Sequence, residues 1–363
     1  METFITVTRK VRGGSWTNIK ESIKKMKEFS VAIVGITGAV GEVMLEILES
    51  RSFPVKDLFL LASEKSVGKR YQYKSKNFSV QALSEFDFKK ADIALFSAGS
   101  SISQEYAPRA AKAGCVVIDN TSLYRREDHI PLIIPEVNPS KLERFKDSNI
   151  IANPNCSTIG MLVALQPIRS AVGIRRINVA TYQAVSGSGK KGIEELAGQT
   201  ARLLNVQPIE RAVYPQQIAF NAIPAIGDLE ENGYTNEEMK MVWETQKIFE
   251  DDSILVNPTC VRIPVFYGHG EAVHVETNSP ITTDKALELL NNAPGVCVID
   301  QKDPIDFPTA VRDSAGKDPV FVGRVRQDIS TDRGLSMWVV SDNVRKGAAL
   351  NSVQIAELLK DYL

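Results

Sequence analysis

The sequence has few cysteines and no long apolar run. Its four cysteines, Cys115, Cys156, Cys260 and Cys297, are widely scattered, and no two of them form a CxxC pair. This spacing argues against a zinc cage and against a disulfide framework, and it fits a reducing cytoplasm. No apolar stretch approaches the roughly 20 residues that cross a bilayer, and the N-terminus lacks the apolar core of a signal peptide. We therefore expect a cytoplasmic chain with no membrane partner and no metal site.

The chain also lacks an excess of charge of either sign. It has 43 lysines and arginines against 44 aspartates and glutamates, a formal net charge of -1. This balance offers no global reason to expect nucleic acid or an anionic membrane as a partner, so small-molecule chemistry is the better expectation. With 363 residues, of which 43% are hydrophobic, the chain exceeds the size that one core usually serves. Two domains are therefore the default.

Residues 1–27 differ from the rest of the chain. They are rich in basic residues, and they precede the first convincing strand pattern. Their acids and scarce serines argue against a transit peptide. Met26 stands directly before the first apolar strand, so we interpret residues 1–27 as a leader or a non-native extension.

Short apolar runs alternate with helical patterns in the first half of the chain. The runs are 31–34, 58–62, 93–96, 116–119 and 150–152, with helical patterns at 42–49 and 106–113. Continuous apolar strands that alternate with helices indicate a parallel sheet covered on both faces. We predict an α/β protein whose residues 28–155 form a doubly wound, Rossmann-like domain.

The pattern changes after residue 156. Segments 177–183 and 273–276 alternate like strands with one solvated or interfacial face, which predicts a second, α+β domain over 156–342. The helical spacing of 348–359 predicts that the C-terminal segment 343–363 packs back on the first domain.

The first strand is followed by glycines at every third position, Gly35, Gly38 and Gly41. Such a turn lets the backbone approach a pyrophosphate, whose charge then lies against the N-terminus of the next helix. A tight strand-to-helix connection without a ligand is the alternative. The position after the first strand of a doubly wound pattern favours a dinucleotide site.

The end of the second strand bears on the choice of dinucleotide. An NAD site usually places an acid there to hold the ribose 2′-hydroxyl. Here the segment contains Ser63, Glu64, Lys65 and Ser66. The two serines and the lysine suit a 2′-phosphate, so NADP is favoured, whereas Glu64 leaves NAD open.

Cys156 stands where the apolar helical run 159–168 begins. A helix start offers unpaired N–H groups and partial positive charge, which would lower the thiol pKa below its usual value near ~8.5. The strand at 150–152 brings this cysteine to the sheet edge where ligands of such folds bind. A nucleophilic thiolate is the functional interpretation, and a buried, inert cysteine is the alternative.

Two further segments carry candidate chemistry. His269 lies between Gly268 and Gly270, where glycines permit a bend that brings an imidazole toward a ligand, although a structural histidine is the alternative. Arg262, just inside an apolar strand over 262–266, has the fork that suits a carboxylate. Glu237, Lys240 and Glu244 would share one helix face, with a solvated ion-pair surface as the alternative.

Six segments then occur in one order: GITGAVG (35–41), NPNCSTIG (153–160), YQAVSGSGKKG (182–192), EEMKMVWETQKIF (237–249), RIPVFYGHGEAV (262–273) and SDNVRKGAALNSVQIAE (341–357). Together they resemble the aspartate-semialdehyde dehydrogenases. The resemblance covers essentially everything from Val31 to the C-terminus and leaves residues 1–27 outside.

The resemblance implies an oxidoreductase of lysine, methionine and threonine biosynthesis. Its reaction would be the NADP-dependent interconversion of L-aspartate 4-semialdehyde plus phosphate and 4-aspartyl phosphate through a cysteine thioacyl intermediate. It also implies a homodimer, with a tetramer as the alternative, built on second-domain strands and the helix near 193–204. Two other functions stay open: an N-acetyl-γ-glutamyl-phosphate reductase, whose substrate is acetylated and one methylene longer, and a catalytically silent paralogue acting as a binding partner.

The resemblance also implies roles for the residues that match its motifs. In the catalytic group, Cys156 would be the nucleophile, His269 the acid/base for the thiohemiacetal proton and Gln183 the group that orients the acyl intermediate. Arg262 would bind the substrate α-carboxylate and Glu237 the amino group. The remaining substrate-binding residues would be Asn155 and, for the transferable phosphate, Arg125 and Lys240.

The cofactor-binding residues implied by the resemblance form three groups. The first cradles the NADP phosphates, the second meets the 2′-phosphate, and the third lies nearer the nicotinamide. They are, in that order, Gly35, Thr37, Gly38, Ala39, Val40 and Gly41; Ser63 and Ser66; and Ser186, Gly187 and Asn343.

Overall fold

The computed structural model describes residues 3–10, 16–23 and 27–363. Its strands are β1 Thr3–Lys10, β2 Trp16–Ile23, β3 Phe29–Val34, β4 Val55–Ala62, β5 Arg70–Tyr73, β6 Lys76–Ala82, β7 Ile93–Phe96, β8 Val116–Asp119, β9 Ile150–Ala152, β10 Ile174–Gln183, β11 Leu255–Arg262, β12 His269–Thr277, β13 Val296–Val298, β14 Gln301–Lys302, β15 Ile305–Asp306, β16 Val320–Gln327 and β17 Gly334–Ser341.

The α-helices connect and cover these strands. They are α1 Ala39–Ser50, α2 Ser100–Lys112, α3 Cys156–Val172, α4 Gly189–Leu204, α5 Asn236–Phe249, α6 Thr283–Asn291 and α7 Leu350–Leu359.

The first sheet has the strand order β5-β6-β4-β3-β7-β8-β9. All its neighbouring strands are parallel except the β5–β6 pair. Every residue of β3, β7 and β8 is buried, as expected for parallel strands with helices on both faces. The doubly wound prediction is confirmed.

The last helix of the chain belongs to the core of this first sheet. Leu350, Val353 and Leu359 of α7 lie in one buried cluster with Phe29 and Ile33 of β3. The helix contacts α1 and β8. Burial of its apolar face therefore ties the C-terminus to the first domain.

The second sheet has the order β11-β10-β12-β17-β16-β13. The β10–β11 and β13–β16 pairs are parallel and the others antiparallel, which gives the mixed sheet of an α+β domain. Helix α3 packs against β10, β12, β16 and β17. Because α3 follows β9 directly, its N-terminus lies where the two sheets meet.

The expected strand over 262–266 is not formed. Arg262 is instead the last residue of β11, and the chain then turns sharply. The amide of Val265 bonds to the carbonyl of Ile263 across Pro264, while the amide of Ile263 bonds to Gln183. The turn redirects the chain toward His269 at the start of β12.

The predicted leader contains strands of its own, so the expectation that it precedes the first strand is wrong. Strands β1 and β2 pair antiparallel and form a separate two-stranded sheet. Met26 lies outside the described residues.

Across the described ranges, no helix combines the length and the apolar character needed to cross a membrane. In those same residues, no three His, Cys, Asp or Glu side chains are grouped so that they could hold a metal ion.

Candidate active site

A cavity of about 460 Å³ opens at the N-terminus of α3, between the two sheets. It brings together predicted site residues from both halves of the chain. Those that line it are Val40, Arg125, Asn155, Cys156, Gln183, Ser186, Gly187, Glu237, Lys240, Arg262 and Asn343.

Asn155 holds the helix start on which Cys156 lies. Its side-chain oxygen accepts hydrogen bonds from the amides of Ser157 at 2.9 Å and Thr158 at 3.4 Å. This is an N-cap, which satisfies amides that a helix start leaves unpaired. Cys156 is the first helical residue, as its place in the sequence predicted.

Cys156 and His269 face each other, with 3.3 Å between Sγ and Nε2. His269 is buried at the first position of β12. Gly268 has a φ of +88°, a conformation that glycine adopts readily, and this bend points the imidazole at the sulfur. On its other side, Nδ1 accepts a hydrogen bond from the Ala184 amide at 3.1 Å.

The prediction of a lowered thiol pKa is wrong. Burial raises the pKa of Cys156 to about 12, and the Glu237 carboxylate adds to the rise. The nearby Arg262 and the Ser157 amide act in the opposite direction but do not compensate. Desolvation of a thiolate therefore outweighs the helix terminus.

His269 is also held in its neutral form. Burial lowers its pKa to about 3, and the neighbouring Arg262 guanidinium contributes to this shift. Burial therefore shifts the pKa of each group toward its neutral form and disfavours a thiolate–imidazolium ion pair.

Glu237 organises one wall of the cavity. Its Oε1 accepts hydrogen bonds from Asn155 Nδ2 at 2.8 Å and Gln183 Nε2 at 3.3 Å, and its Oε2 accepts from Lys240 Nζ at 3.0 Å. Burial alone would raise the pKa of Glu237, but Lys240 and Asn155 hold it at about 2. Glu237 and Glu244 on this helix face are buried and Lys240 is half-buried, which argues against the alternative of a solvated ion-pair surface.

Glu244, for which the sequence predicts no separate role, joins two parts of the site. Its Oε1 accepts from Arg125 Nη1 at 3.0 Å and its Oε2 from the Asn155 amide at 2.6 Å. Glu244 lies two helical turns after Glu237 on the same face of α5. This spacing is the sequence feature that could have indicated its place in the site. A single buried carboxylate therefore connects the arginine to the start of the nucleophile helix.

Arg262 is buried with its guanidinium at the cavity wall. Its Nη1 donates to the carbonyl of Ala184 at 2.7 Å, and in the described part of the chain no carboxylate lies within ion-pairing distance. A Cβ on Gly187 would approach Nη1 to 2.8 Å, so this glycine makes room for the guanidinium. The site presents a buried cation to an incoming anion.

Asn343 and Ser186 form a hydrogen-bonded pair beside the histidine turn. Asn343 Nδ2 donates to Ser186 Oγ at 2.9 Å, and Asn343 Oδ1 accepts from the Gly268 amide at 3.0 Å. Asn343 therefore fixes the turn that carries His269, a contact that no local pattern in the sequence could indicate.

The glycine loop is shaped for close backbone approach. Gly35 has a φ of +92°, and a Cβ on Gly41 would lie 2.3 Å from the Gly35 carbonyl oxygen. Helix α1 begins at Ala39, and no side chain of the described residues caps its first amides. These free N–H groups suit a phosphate. Within the loop, Val40 is the residue that lines the cavity, while Thr37 and Gly38 lie outside its lining.

The segment after β4 contains the residues expected at a 2′-phosphate. Ser63 and Lys65 are exposed, whereas Ser66 is buried. The carboxylate of Glu64 accepts a hydrogen bond from Ser84 Oγ at 2.6 Å. Glu64 is therefore engaged by a neighbouring side chain.

Comparison with known proteins assigns a class to this fold and site. The family described as semialdehyde dehydrogenase, NAD binding domain, matches residues 30–145, and the family described as semialdehyde dehydrogenase, dimerisation domain, matches residues 165–346. The chain is thus a semialdehyde dehydrogenase, an oxidoreductase with a dinucleotide-binding domain.

Relatives identify the substrate family. Aspartate-semialdehyde dehydrogenase 2 of Vibrio cholerae is 62% identical over 93% of this chain and 99% of its own length. A crystal structure of aspartate semialdehyde dehydrogenase II from that organism, complexed with ASA, matches with a TM-score of 0.91 and covers 93% of this chain and 100% of that one at 62% identity. The chain belongs to the aspartate-semialdehyde dehydrogenase family.

A more distant structure carries a dinucleotide. Aspartate semialdehyde dehydrogenase with NADP from Candida albicans matches with a TM-score of 0.72, at 26% identity, over 93% of this chain and 100% of that one.

Proposed function

We propose that Cys156 carries the reaction of this family through a covalent thioacyl intermediate. The supporting observation is the 3.3 Å contact between Cys156 Sγ and His269 Nε2 at a cavity that is also lined by charged groups from both domains. The sulfur attacks the acyl carbon of 4-aspartyl phosphate, and the bond from that carbon to the phosphate oxygen breaks, so phosphate leaves with the electron pair. A hydride that a bound dinucleotide would supply then reduces the thioester to aspartate 4-semialdehyde and releases the sulfur. His269 acts at the reacting oxygen, and Gln183 orients the acyl group.

Arg262 and Glu237 recognise the amino-acid end of the substrate in this proposal. The buried guanidinium of Arg262 takes the α-carboxylate, for which a bidentate fork is suited. Glu237, with its pKa held at about 2, remains a carboxylate for the free ammonium. An acetylated amine offers no positive charge to Glu237, which disfavours the N-acetyl-γ-glutamyl-phosphate reductase reaction. Asn155 lies between Glu237 and the nucleophile and holds both in position.

Arg125 and Lys240 bind the transferable phosphate. Both line the cavity, and the Nε of Arg125 is buried and lacks a hydrogen-bond partner among the described residues. An orphaned donor on a buried guanidinium is costly unless an anion receives it. Two cations also suit a phosphate dianion better than one.

The residues of the glycine loop fit a dinucleotide, which supplies the hydride when bound. Gly35, Thr37, Gly38, Ala39, Val40 and Gly41 would hold the pyrophosphate against the free amides of α1. Asn343, Ser186 and Gly187 would hold the nicotinamide end, because they lie at the cavity beside Cys156.

NADP is the proposed dinucleotide. Ser63 and Lys65 are exposed at the end of β4 and can contact a 2′-phosphate, with Ser66 beside them. Glu64, the acid that would otherwise hold a ribose hydroxyl, is hydrogen-bonded to Ser84. The Candida albicans aspartate semialdehyde dehydrogenase was solved with NADP, which supports the same choice here.

The protein is proposed to work as a homodimer in the cytoplasm. Its second half matches a dimerisation domain, and several large apolar side chains there are exposed in the single chain, among them Leu204, Val206 and Phe220. All four cysteines are free, which suits a reducing compartment. Light scattering after size exclusion separates a dimer from a tetramer.

One assay tests the proposed reaction. Purified protein is mixed with phosphate and either aspartate 4-semialdehyde or N-acetyl-glutamate 5-semialdehyde, each with NADP or NAD. We expect the fastest reduced-dinucleotide formation with aspartate 4-semialdehyde and NADP. Faster turnover of the N-acetylated aldehyde would overturn the substrate assignment, and no turnover with any combination would favour the silent paralogue.

A further inference from the structure

Lys346 is a buried lysine close to the active site but outside its cavity. Only 1% of its surface is exposed, and among the described residues that line the cavity its neighbour Gly347 appears while Lys346 does not. The ammonium donates to Glu136 Oε2 at 2.6 Å, Gln354 Oε1 at 2.7 Å and Asn351 Oδ1 at 3.0 Å. Burial lowers the pKa of this lysine, but the Glu136 carboxylate opposes that shift, and three acceptors match the three hydrogens of an ammonium.

A chain of hydrogen bonds runs from this ammonium to the loop before Cys156. Asn351 Nδ2 donates to the carbonyl of Ile133 at 3.0 Å and to Asn153 Oδ1 at 2.8 Å. Asn153 Nδ2 in turn donates to the carbonyl of Pro154 at 3.3 Å. Both asparagines are buried. The chain of bonds therefore connects a lysine near the C-terminus to the residues that precede the cysteine.

The lysine gives this chain of bonds one direction. An ammonium can only donate, so it holds the oxygen of the Asn351 amide on its own side and turns the NH2 group away. The Ile133 carbonyl can only accept, which requires the same orientation. The NH2 group of Asn351 then meets the oxygen of Asn153, so the NH2 group of Asn153 is left for the Pro154 carbonyl. The orientation of each amide therefore depends on the one before it.

The peptide unit between Pro154 and Asn155 is held at both ends. Its carbonyl accepts from Asn153, and its N–H donates to Glu244 Oε2 at 2.6 Å. This peptide unit leads directly into α3, whose first residue is Cys156. Rotation of the peptide plane would move the helix start and the sulfur with it. The orientation of the Asn153 amide therefore bears on the position of the cysteine.

We propose that Lys346 is a positioning residue for Cys156, and that it acts through Asn351 and Asn153 on the loop that leads into α3. This inference rests on the proposed function, in which Cys156 is the nucleophile. A second contact supports it, because the turn that contains Lys346 also places Gly347 directly against Cys156. Lys346 lies outside the cavity, so its effect on the reaction is indirect.

Stability alone does not account for a charge at this position. A buried ion pair is costly to desolvate, and apolar side chains of similar volume often stabilise a protein equally well or better. An apolar side chain, however, supplies no donor to orient the Asn351 amide. The buried pair of Lys346 and Glu136 is therefore explained by the orientation that it imposes on its neighbours.

Two variants separate positioning from stability. Lys346→Met leaves the largely buried Glu136 carboxylate without its cation, so we expect a lower Tm. The double variant Lys346→Met/Glu136→Gln removes both charges, and its Tm should recover. We expect kcat to stay at least roughly tenfold low in both variants, because a displaced nucleophile loses rate steeply. Recovery of kcat together with Tm in the double variant would overturn the proposal.

The Michaelis constant for aspartate 4-semialdehyde distinguishes a misplaced nucleophile from a disrupted substrate site. Arg262 on β11 and Glu237 on α5 lie on other elements than Lys346. We therefore expect this constant to stay nearly unchanged in the double variant while kcat falls. A raised constant with an unchanged kcat would contradict the proposed role.

A third variant keeps the lysine paired. Asn351→Asp still offers Lys346 an acceptor, but its carboxylate cannot donate to Asn153, so we expect a similar loss in kcat. Gln354→Met is the matched control, because it removes one acceptor of Lys346 and leaves the bonds from Asn351 to Asn153 in place. Its kcat should equal that of the unmodified protein. An unchanged kcat in Asn351→Asp, or an equal loss in Gln354→Met, would overturn the proposal.

Alkylation by iodoacetamide reports on the position of Cys156 without substrate. We expect Cys156 to react faster in the double variant than in the unmodified protein, because a displaced loop leaves the thiol less buried. Cys115 and Cys260 are buried elsewhere and serve as internal controls whose labelling should stay slow. An unchanged rate at Cys156, or faster labelling of all three cysteines, would show that Lys346 has a general structural role instead. Failure of the proposed function would appear separately, as an active Cys156→Ala variant.

Discussion

Gly347 lies directly against Cys156, and a Cβ at position 347 would approach Cys156 Cβ to 2.7 Å. The glycine belongs to the turn Arg345–Ala349 that precedes α7, and it lines the active-site cavity. The C-terminal segment therefore sets the space around the nucleophile as well as completing the first domain's core.

The first prediction follows from this contact. Gly347→Ala should displace Cys156 from His269 and lower kcat at least about tenfold, while overpacking costs about 1–3 kcal/mol of unfolding free energy. The measurement is steady-state turnover together with the rate of Cys156 alkylation. Gly198→Ala is the control, because a Cβ at this helical glycine would meet no atom of the described residues within 4 Å. Equal turnover in both variants would show that the contact is unimportant.

The second prediction concerns Glu244. Glu244→Gln offers one oxygen where the carboxylate offers two, so either Arg125 or the Asn155 amide loses its acceptor. An unsatisfied buried donor costs about 1–3 kcal/mol. We expect reduced stability in urea and a raised Michaelis constant for phosphate, because Arg125 is no longer held. Glu288→Gln, at an exposed ion pair with Lys285, is the control. An unaltered phosphate dependence would contradict the coupling.

The third prediction concerns Glu271, a buried carboxyl group on β12 whose two oxygens have no hydrogen-bond partner among the described residues. Burial raises its pKa well above the usual value. The folded state then binds the proton of Glu271 more tightly than the unfolded state does. The resulting contribution to the free energy of unfolding is fully present below the pKa of the unfolded state, near ~4.3, and is lost as the pH rises toward the raised pKa of the folded state.

The amide that Glu271→Gln introduces cannot ionise, so this variant should not lose stability through position 271 as the pH rises. We expect its Tm advantage over the unmodified protein to grow between about pH 5 and 8. Glu276→Gln, on the opposite face of the same strand, should show no such trend. A pH-independent difference in Tm for Glu271→Gln would mean that Glu271 has an ordinary pKa in the fold.

The fourth prediction concerns the reactivity of the nucleophile. Because burial raises the pKa of Cys156 to about 12, its alkylation by iodoacetamide should accelerate steadily between about pH 7 and 10 without a plateau. Cys156→Ser supplies the background from the other cysteines. A plateau near neutral pH would show that the helix terminus does lower the thiol pKa.

The fifth prediction concerns Lys240, whose ammonium bonds to Glu237 and lines the cavity. Lys240→Ala should weaken the dependence of the oxidative direction on phosphate, and it should also raise the pKa of Glu237 because a main cause of that lowered pKa is removed. The measurement is the Michaelis constant for phosphate. Lys285→Ala, at the surface, is the control, and an unchanged constant would exclude Lys240 from the phosphate site.

Features that depend on neighbours in the chain could be predicted from the sequence. The apolar run at 93–96, the glycine at position 35 with its positive φ and the helix start at Cys156 all follow from local periodicity, backbone sterics and capping. The end of β11 at Arg262 was missed, because the tight turn at Pro264 depends on a hydrogen bond from Ile263 to a different strand.

The sequence by itself determined the alternation of strands and helices, the family through its ordered motifs, and the placement of a cysteine at a helix start. Only the tertiary structure decided the burial of Cys156 and His269, which shifts the pKa of each toward the neutral form, and the bridge made by Glu244. These depend on how much water is excluded and on which groups from distant segments come into contact. Desolvation and long-range hydrogen bonds depend on residues that are far apart in the sequence and meet only in the folded protein, so no local sequence pattern predicts them.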